Sequence, residues 1–201
     1  MTTIPEGHSE GSNPCGVVHY LLVLKCSSDV CQDEVHGVAA VTSLLGMQPI
    51  YVDKARGENI FQKTKGHCFR AVYVAGHGDH AAIGEQQGAC QRWDDLAAEL
   101  CAAACMQEDS VVFCACCYGG LRATALSFFR NCPNVESVCG PTSSISPASI
   151  FLAFHVILYG VYFGNSSFDM ACRLATDATQ HCFTVHSQQE ALSRGEVNLL
   201  P

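Results

Sequence analysis

Ala71-Val72-Tyr73-Val74-Ala75-Gly76-His77-Gly78 and Val111-Val112-Phe113-Cys114-Ala115-Cys116-Cys117-Tyr118-Gly119-Gly120 are the two stretches on which the fold turns. Each is a short apolar run rich in β-branched and aromatic residues and closed by glycine, the pattern of a buried strand ending in a turn. In an open α/β sheet the carboxyl ends of neighbouring parallel strands face one crevice, and ligands bind there. One of these ends carries an imidazole and the other a thiol, the residue types of a nucleophile and its base.

Outward from these two runs the chain alternates strand and helix. Val18 to Lys25 reads as a first strand, Asp33 to Leu45 as a helix closed by Gly46, Pro49 to Val52 as a second strand and Phe69 to Ala75 as the third. Trp93 to Met106 is predicted as an Ala/Leu-rich helix, with Asp94 and Asp95 in the first turn where they complement the helix dipole. Ser110 to Cys116 is the fourth strand, Leu121 to Arg130 a helix and Val135 to Cys139 the fifth strand. Pro147 to Phe163 and Phe168 to Thr179 follow as helices, and Cys182 to His186 as an edge strand. This order predicts an α/β three-layer sandwich, a mostly parallel sheet with helices on both faces. One domain is expected over residues 17–187, between a flexible N-terminal tail (1–16) and a C-terminal tail (188–201).

Composition narrows the function classes. The chain has 201 residues, 48% of them hydrophobic and 15% charged, with a formal net charge of −8. That acidity opposes a nucleic-acid phosphate binder and favours a basic protein or peptide partner. The apolar stretch from Ile150 to Phe163 contains His155 and is shorter than the roughly 20 residues a membrane span needs, so it reads as a buried helix and no membrane partner is expected. The polar first residues lack an apolar signal core, which predicts a cytoplasmic address. The 14 cysteines then read mostly as reduced thiols, with Cys101, Cys105, Cys139 and Cys172 acting as small hydrophobes. Cys114 and Cys117 have C-x-x-C spacing, but no second pair accompanies them, so no metal site is assigned.

His77-Gly78 after one strand and Cys116-Cys117-x-x-Gly after the next resemble the caspase-like cysteine peptidases, among them caspases, metacaspases, clostripain, separase and CHAT domains. The metacaspase wording, Ser-Gly-His-Gly and Asp-Cys-Cys-His-Ser-Gly, is similar to Ala75-Gly76-His77-Gly78 and Ala115-Cys116-Cys117-Tyr118-Gly119-Gly120 here. The resemblance spans about residues 18 to 182 and implies a cysteine endopeptidase in which Cys117 is the nucleophile and His77 the base. It places the oxyanion donors beside them, at the Gly78 and Cys117 backbone amides. It implies no cofactor, a protein or peptide substrate and an activating or regulatory protein. The short interval after the thiol, already helical, implies a single unprocessed chain.

The residues also leave alternatives open. Strand alternation puts Cys116 and Cys117 on opposite faces, so Cys116 is the rival nucleophile and only one of the two can meet His77. Tyr118-Gly119-Gly120 calls for positive φ or close backbone approach just after the thiol. His80 is a second imidazole, in a polar loop without flanking glycines. Cys116 to Arg122 also has the C-x5-R spacing of a phosphatase phosphate loop, with Ala115 and Ala123 where that loop carries His and Ser/Thr. A catalytically silent scaffold for protein–protein interaction is the remaining reading. Ala115 stands where metacaspases place an Asp and caspases a Gln that help bind the P1 side chain, so the resemblance carries the chemistry without the specificity. Asp29, Asp53 or Asp79 could hold a basic P1 in its stead. The loops Cys26 to Asp29 and Gly140 to Ser146, including Ser143, are the expected walls of a substrate groove.

Overall fold

The computed structural model describes residues 19–162 and 164–197. The elements run β1 (His19–Lys25), α1 (Gln32–Leu44), β2 (Met47–Asp53), α2 (Gly57–Thr64), β3 (Phe69–Ala75), β4 (His77–Gly78), β5 (Ala82–Gly84), β6 (Cys90–Arg92) and α3 (Trp93–Ala102). They continue with β7 (Met106–Ala115), α4 (Arg122–Asn131), β8 (Val135–Pro141), α5 (Pro147–Tyr162), α6 (Phe168–Thr179), β9 (Phe183–Ser187) and α7 (Gln188–Ser193). Six strands form one sheet in the order β2-β1-β3-β7-β8-β9, parallel except for β9. The mixed α/β architecture and the mostly parallel sheet match the sequence expectation.

Alternation along the strands divides the core in two. Leu22, Leu24, Val72, Val74, Val112, Cys114 and Cys116 face one side, where they pack with Ile60 of α2, Leu96 and Leu100 of α3 and Phe128 of α4. Leu21, Val23, Tyr73, Ala75, Phe113 and Ala115 face the other, against Val35 and Val38 of α1, Phe154 and Ile157 of α5 and Ala171 of α6. On that second face Tyr73 stacks on Phe113 at 5.6 Å between ring centroids, and Phe154 meets both rings edge-on. Three layers result, each helix burying one apolar stripe on the sheet.

Several boundaries differ from the sequence reading for identifiable reasons. The helix expected to reach Met106 stops at Ala102, because Ala104 adopts a left-handed φ of 49°. Met106 then already pairs with Phe69, and β7 begins there, in spite of the polar Gln107-Glu108-Asp109 that follows. The eight-residue α2 and the β4-β5-β6 meander are too short to show a pattern. β2 extends past both expected ends and tolerates Pro49 because it is an edge strand. The stretch from residue 188, expected as a tail, continues as α7 and buries Ala191 and Val197 in the core. Val18, Phe163 and the N-terminal tail 1–16 lie outside the described residues. Every described cysteine is a free thiol; Cys105, Cys139 and Cys172 are buried as expected, whereas Cys101 is exposed.

Candidate active site

The chain steps from β1 to β2 in one direction and from β1 to β3 in the other, so the strand order reverses between β1 and β3. Loops leaving the carboxyl ends of such strands diverge and open a crevice. Asp29 follows β1, His77 follows β3, and Cys117 follows β7, the next strand along. Ala75 and Ala115 are paired across β3 and β7, so the two reactive ends leave the sheet side by side.

Gly78 documents how close they are. A Cβ built on it would lie 2.6 Å from both the Cys117 carbonyl oxygen and the Cys116 sulfur. Only a residue without a side chain allows so close an approach to the Cys116 side chain and the Cys117 carbonyl. His77 and Cys117 line one cleft of about 150 Å³, together with Asp29, Glu34, Ala115 and Ile145. His77 is exposed and Cys117 half-buried, at the lip of the sheet.

The turn after the thiol is tightly built. Tyr118 carries the left-handed backbone, with φ of 60°, while the two glycines serve close packing. A Cβ on Gly119 would lie 2.5 Å from Cys114 Cβ, and one on Gly120 would lie 2.0 Å from the Gly140 carbonyl oxygen. A bulky non-glycine residue in this conformation stores backbone strain. The Tyr118 ring rests against His80 at 4.7 Å, so the second imidazole packs on the turn.

His77 is held from the opposite side. Its Nε2 lies 2.9 Å from Asp29 Oδ2, an ion pair if the imidazole is protonated. Asp29 also accepts from the Ser27 hydroxyl. These contacts, the Ser27 hydrogen bond foremost and His77 after it, hold the Asp29 carboxyl below its ordinary range. An ionised carboxylate can only accept, so Nε2 carries the proton and Nδ1 is the basic nitrogen of the neutral ring. Glu85, just beyond β5, fastens the same loop. It accepts from the Ser28 amide at 3.0 Å and from the Ser28 hydroxyl at 2.9 Å, and its Oε2 lies 2.9 Å from the Ser27 hydroxyl oxygen, whose one proton it shares with Asp29. Since His77 pairs with Gly84 in the meander, one short sheet positions both the imidazole and the clamp on its partner loop.

Other sequence candidates fall elsewhere. Cys116 is 1% exposed, and burial, reinforced by the nearby thiols of Cys114 and Cys26, pushes its thiol well above the ordinary range. A phosphate loop would need that thiol ionised and Arg122 free, but Arg122 is bound to Glu196, its Nε donating at 3.1 Å. Asp79 turns the chain by accepting from the Ala81 and Ala82 amides at 2.7 and 2.8 Å. Asp53 lies in a different groove with Asn59 and Lys63. Ser143 is exposed and meets the turn through its carbonyl, which accepts from the Tyr118 amide at 3.3 Å. Ile145 is the residue of that loop at the thiol: its amide donates to Cys117 Sγ at 3.5 Å, and the thiol faces its carbonyl at 3.8 Å. Asp29 as a partner of His77 and Glu34 as part of the cleft were beyond the sequence reading. The only hint was their place just after the first strand.

The sequence matches no protein-family description, and no curated protein matches it. The fold has solved counterparts. The chain is similar to an inactive zymogen of a C11 protease from Parabacteroides distasonis, with a TM-score of 0.57 and 10% sequence identity. The likeness covers 90% of this chain and 64% of that one, so this chain spans less than two thirds of the protease's length. At that identity the two share a fold, a mixed α/β architecture built on a mostly parallel central sheet.

Proposed function

We propose that this chain is a cysteine endopeptidase with His77 and Cys117 as its catalytic residues. The Cys117 sulfur attacks the scissile carbonyl carbon while His77 takes up the thiol proton. The Gly78 and Cys117 amides hold the oxyanion that forms. As the tetrahedral intermediate collapses, the C–N bond breaks and His77 returns the proton to the leaving amine, leaving a thioester. Water, deprotonated by His77, then hydrolyses the thioester and restores the thiol. Asp29 positions the imidazole and fixes which nitrogen is basic. The observation that carries this reading is the close seating of Gly78 on the Cys116 side chain and the Cys117 carbonyl, with His77 and Cys117 lining one cleft.

The contact of Ile145 with the thiol favours a resting form of reduced activity, since substrate must displace that backbone from Cys117, a step that an activating protein would ease. A silent scaffold would keep this loop closed permanently. Cleavage of a peptide library by the purified chain tests the proposal. Activity should fall at least about 1,000-fold in Cys117→Ala and His77→Ala, and persist in Cys116→Ala. Hydrolysis of a small aryl phosphate, lost in Arg122→Ala, would support the phosphatase reading instead.

A further inference from the structure

Gly120 ends the turn that follows Cys117, and both its amide and its carbonyl are held. The amide donates to the Pro141 carbonyl at 2.8 Å. The carbonyl accepts twice, from the Thr184 hydroxyl at 2.6 Å and from His186 Nε2 at 2.9 Å. A carbonyl oxygen has two lone pairs, so both acceptor sites are taken, and Nε2 is the nitrogen of that ring that carries a proton. Thr184 and His186 stand two residues apart on β9, so their side chains leave the same face of the strand.

β8 lies between β7 and β9, and the turn reaches across it because two glycines meet there. Gly140 of β8 pairs with Thr184, and a Cβ on Gly140 would lie 2.8 Å from the Gly120 amide nitrogen. A Cβ on Gly120 would lie 2.9 Å from Thr184 Oγ1. With no side chain on either, the turn lies on β8 and the β9 side chains close over its last carbonyl. What they hold is strained. Tyr118 has a left-handed backbone, with φ of 60°, which a bulky residue keeps only when its surroundings impose it. The Tyr118 amide donates to the Ser143 carbonyl, Gly119 to Cys116 and Leu121 to Tyr118. None of these bonds uses the Cys117 amide, the proposed oxyanion donor. Thr184 and His186 complete the set from outside the cleft, in a separate groove with Arg122 and Glu190.

We infer that His186, together with Thr184, is a positioning residue for the nucleophile: by clamping the Gly120 carbonyl from β9, the pair keeps Tyr118 left-handed and Cys117 at the lip of the cleft. The pair acts through the turn and not on the substrate. Its effect on rate rests on the peptidase reading; the clamp on the carbonyl does not.

Two measurements on the full chain test this: the NMR signals of the Gly120 carbonyl carbon and the Cys117 amide, and kcat and KM for a peptide that the wild type cleaves. His186→Phe keeps a ring and removes the donor. It should move both signals and lower kcat about 3- to 10-fold, the worth of one net hydrogen bond, with KM little changed. His186→Gln, whose amide can donate to the same carbonyl, should restore most of both. Thr184→Val should act like His186→Phe, and Thr184→Ser like the wild type, which covers the case of one variant failing to fold. Val185→Ala, on the opposite face of β9, should lower the melting temperature yet leave the signals and kcat as they were. Unchanged kcat in both His186→Phe and Thr184→Val would overturn the inference, as would a His186→Gln as impaired as His186→Phe. Either result leaves the peptidase reading standing. Signals that move in His186→Phe and recover in His186→Gln, in a chain that cleaves no peptide, would support the clamp and remove the peptidase reading. Unmoved signals in a chain without cleavage would remove both.

Discussion

Asp29 bears on mechanism because its carboxylate can only accept from His77, which leaves Nδ1 as the nitrogen free to take a proton. Asp29→Asn keeps the size of the side chain but can present an amide donor to the ring, so the fixed tautomer is lost. The expected outcome is a fall in kcat of about 10- to 100-fold for every P1, with KM little changed, because positioning of the base is what suffers. The pH dependence separates this from a structural defect. The carboxyl is held below its ordinary range, by Ser27 first and by His77, so the wild-type advantage should persist as pH falls through the usual carboxylate range. It should vanish only at lower pH, once Asp29 itself is protonated. Kinetics from pH 8 downward check this, and a constant ratio at every pH would point to misfolding instead. The Asp29–His77 contact joins residues 48 apart in the chain, and no local pattern announces such a pair. Glu34 was hidden differently, since an acid in the first turn of a helix reads as dipole compensation.

At the scale of elements, the β4-β5-β6 meander does two jobs that sequence periodicity could not show, its strands being two or three residues long. It sets His77 opposite Gly84, and through Glu85 it ties down the loop that presents Asp29. The indole of Trp93 anchors it in turn, donating to the Asp79 carbonyl at 3.2 Å. Glu85→Ala should therefore loosen residues 26–30 without touching the core. Hydrogen exchange is expected to accelerate at the Ser28 amide while β3 and β7 stay protected and the melting temperature hardly moves. Activity should fall along with Asp29→Asn, and a double variant should lose little more than either alone. Independent, multiplying losses would show that Glu85 acts on something other than the Asp29 loop. By contrast, β3 and β7 were legible from the outset, because buried parallel strands are continuous apolar runs and their glycines mark the ends.

For the whole molecule, the alternation of strand and helix sufficed for the layers and the direction of the sheet, since each buried stripe needs a covering face. It did not reveal where the strand order reverses, which depends on contacts between residues distant in sequence. That reversal, between β1 and β3, is what gathers Asp29, His77 and Cys117 at one end of the sheet. Among the described residues, no helix is long and apolar enough to cross a membrane, and the long apolar α5 instead buries Phe154 and Ile157 against the sheet. The C-terminal stretch escaped notice for a similar reason: Gln188–Ser193 is mostly polar in sequence, and its buried residues, Gln188 and Ala191, form no apolar stripe. The central claim is that one thiol among many is the nucleophile, and peptide mapping after labelling with a peptidyl acyloxymethyl ketone tests it most directly. The account predicts a single adduct on Cys117, abolished in Cys117→Ala and strongly slowed in His77→Ala. An adduct on Cys116, or labelling spread over the exposed Cys31, Cys68, Cys90, Cys101 and Cys182 with Cys117 spared, would contradict it.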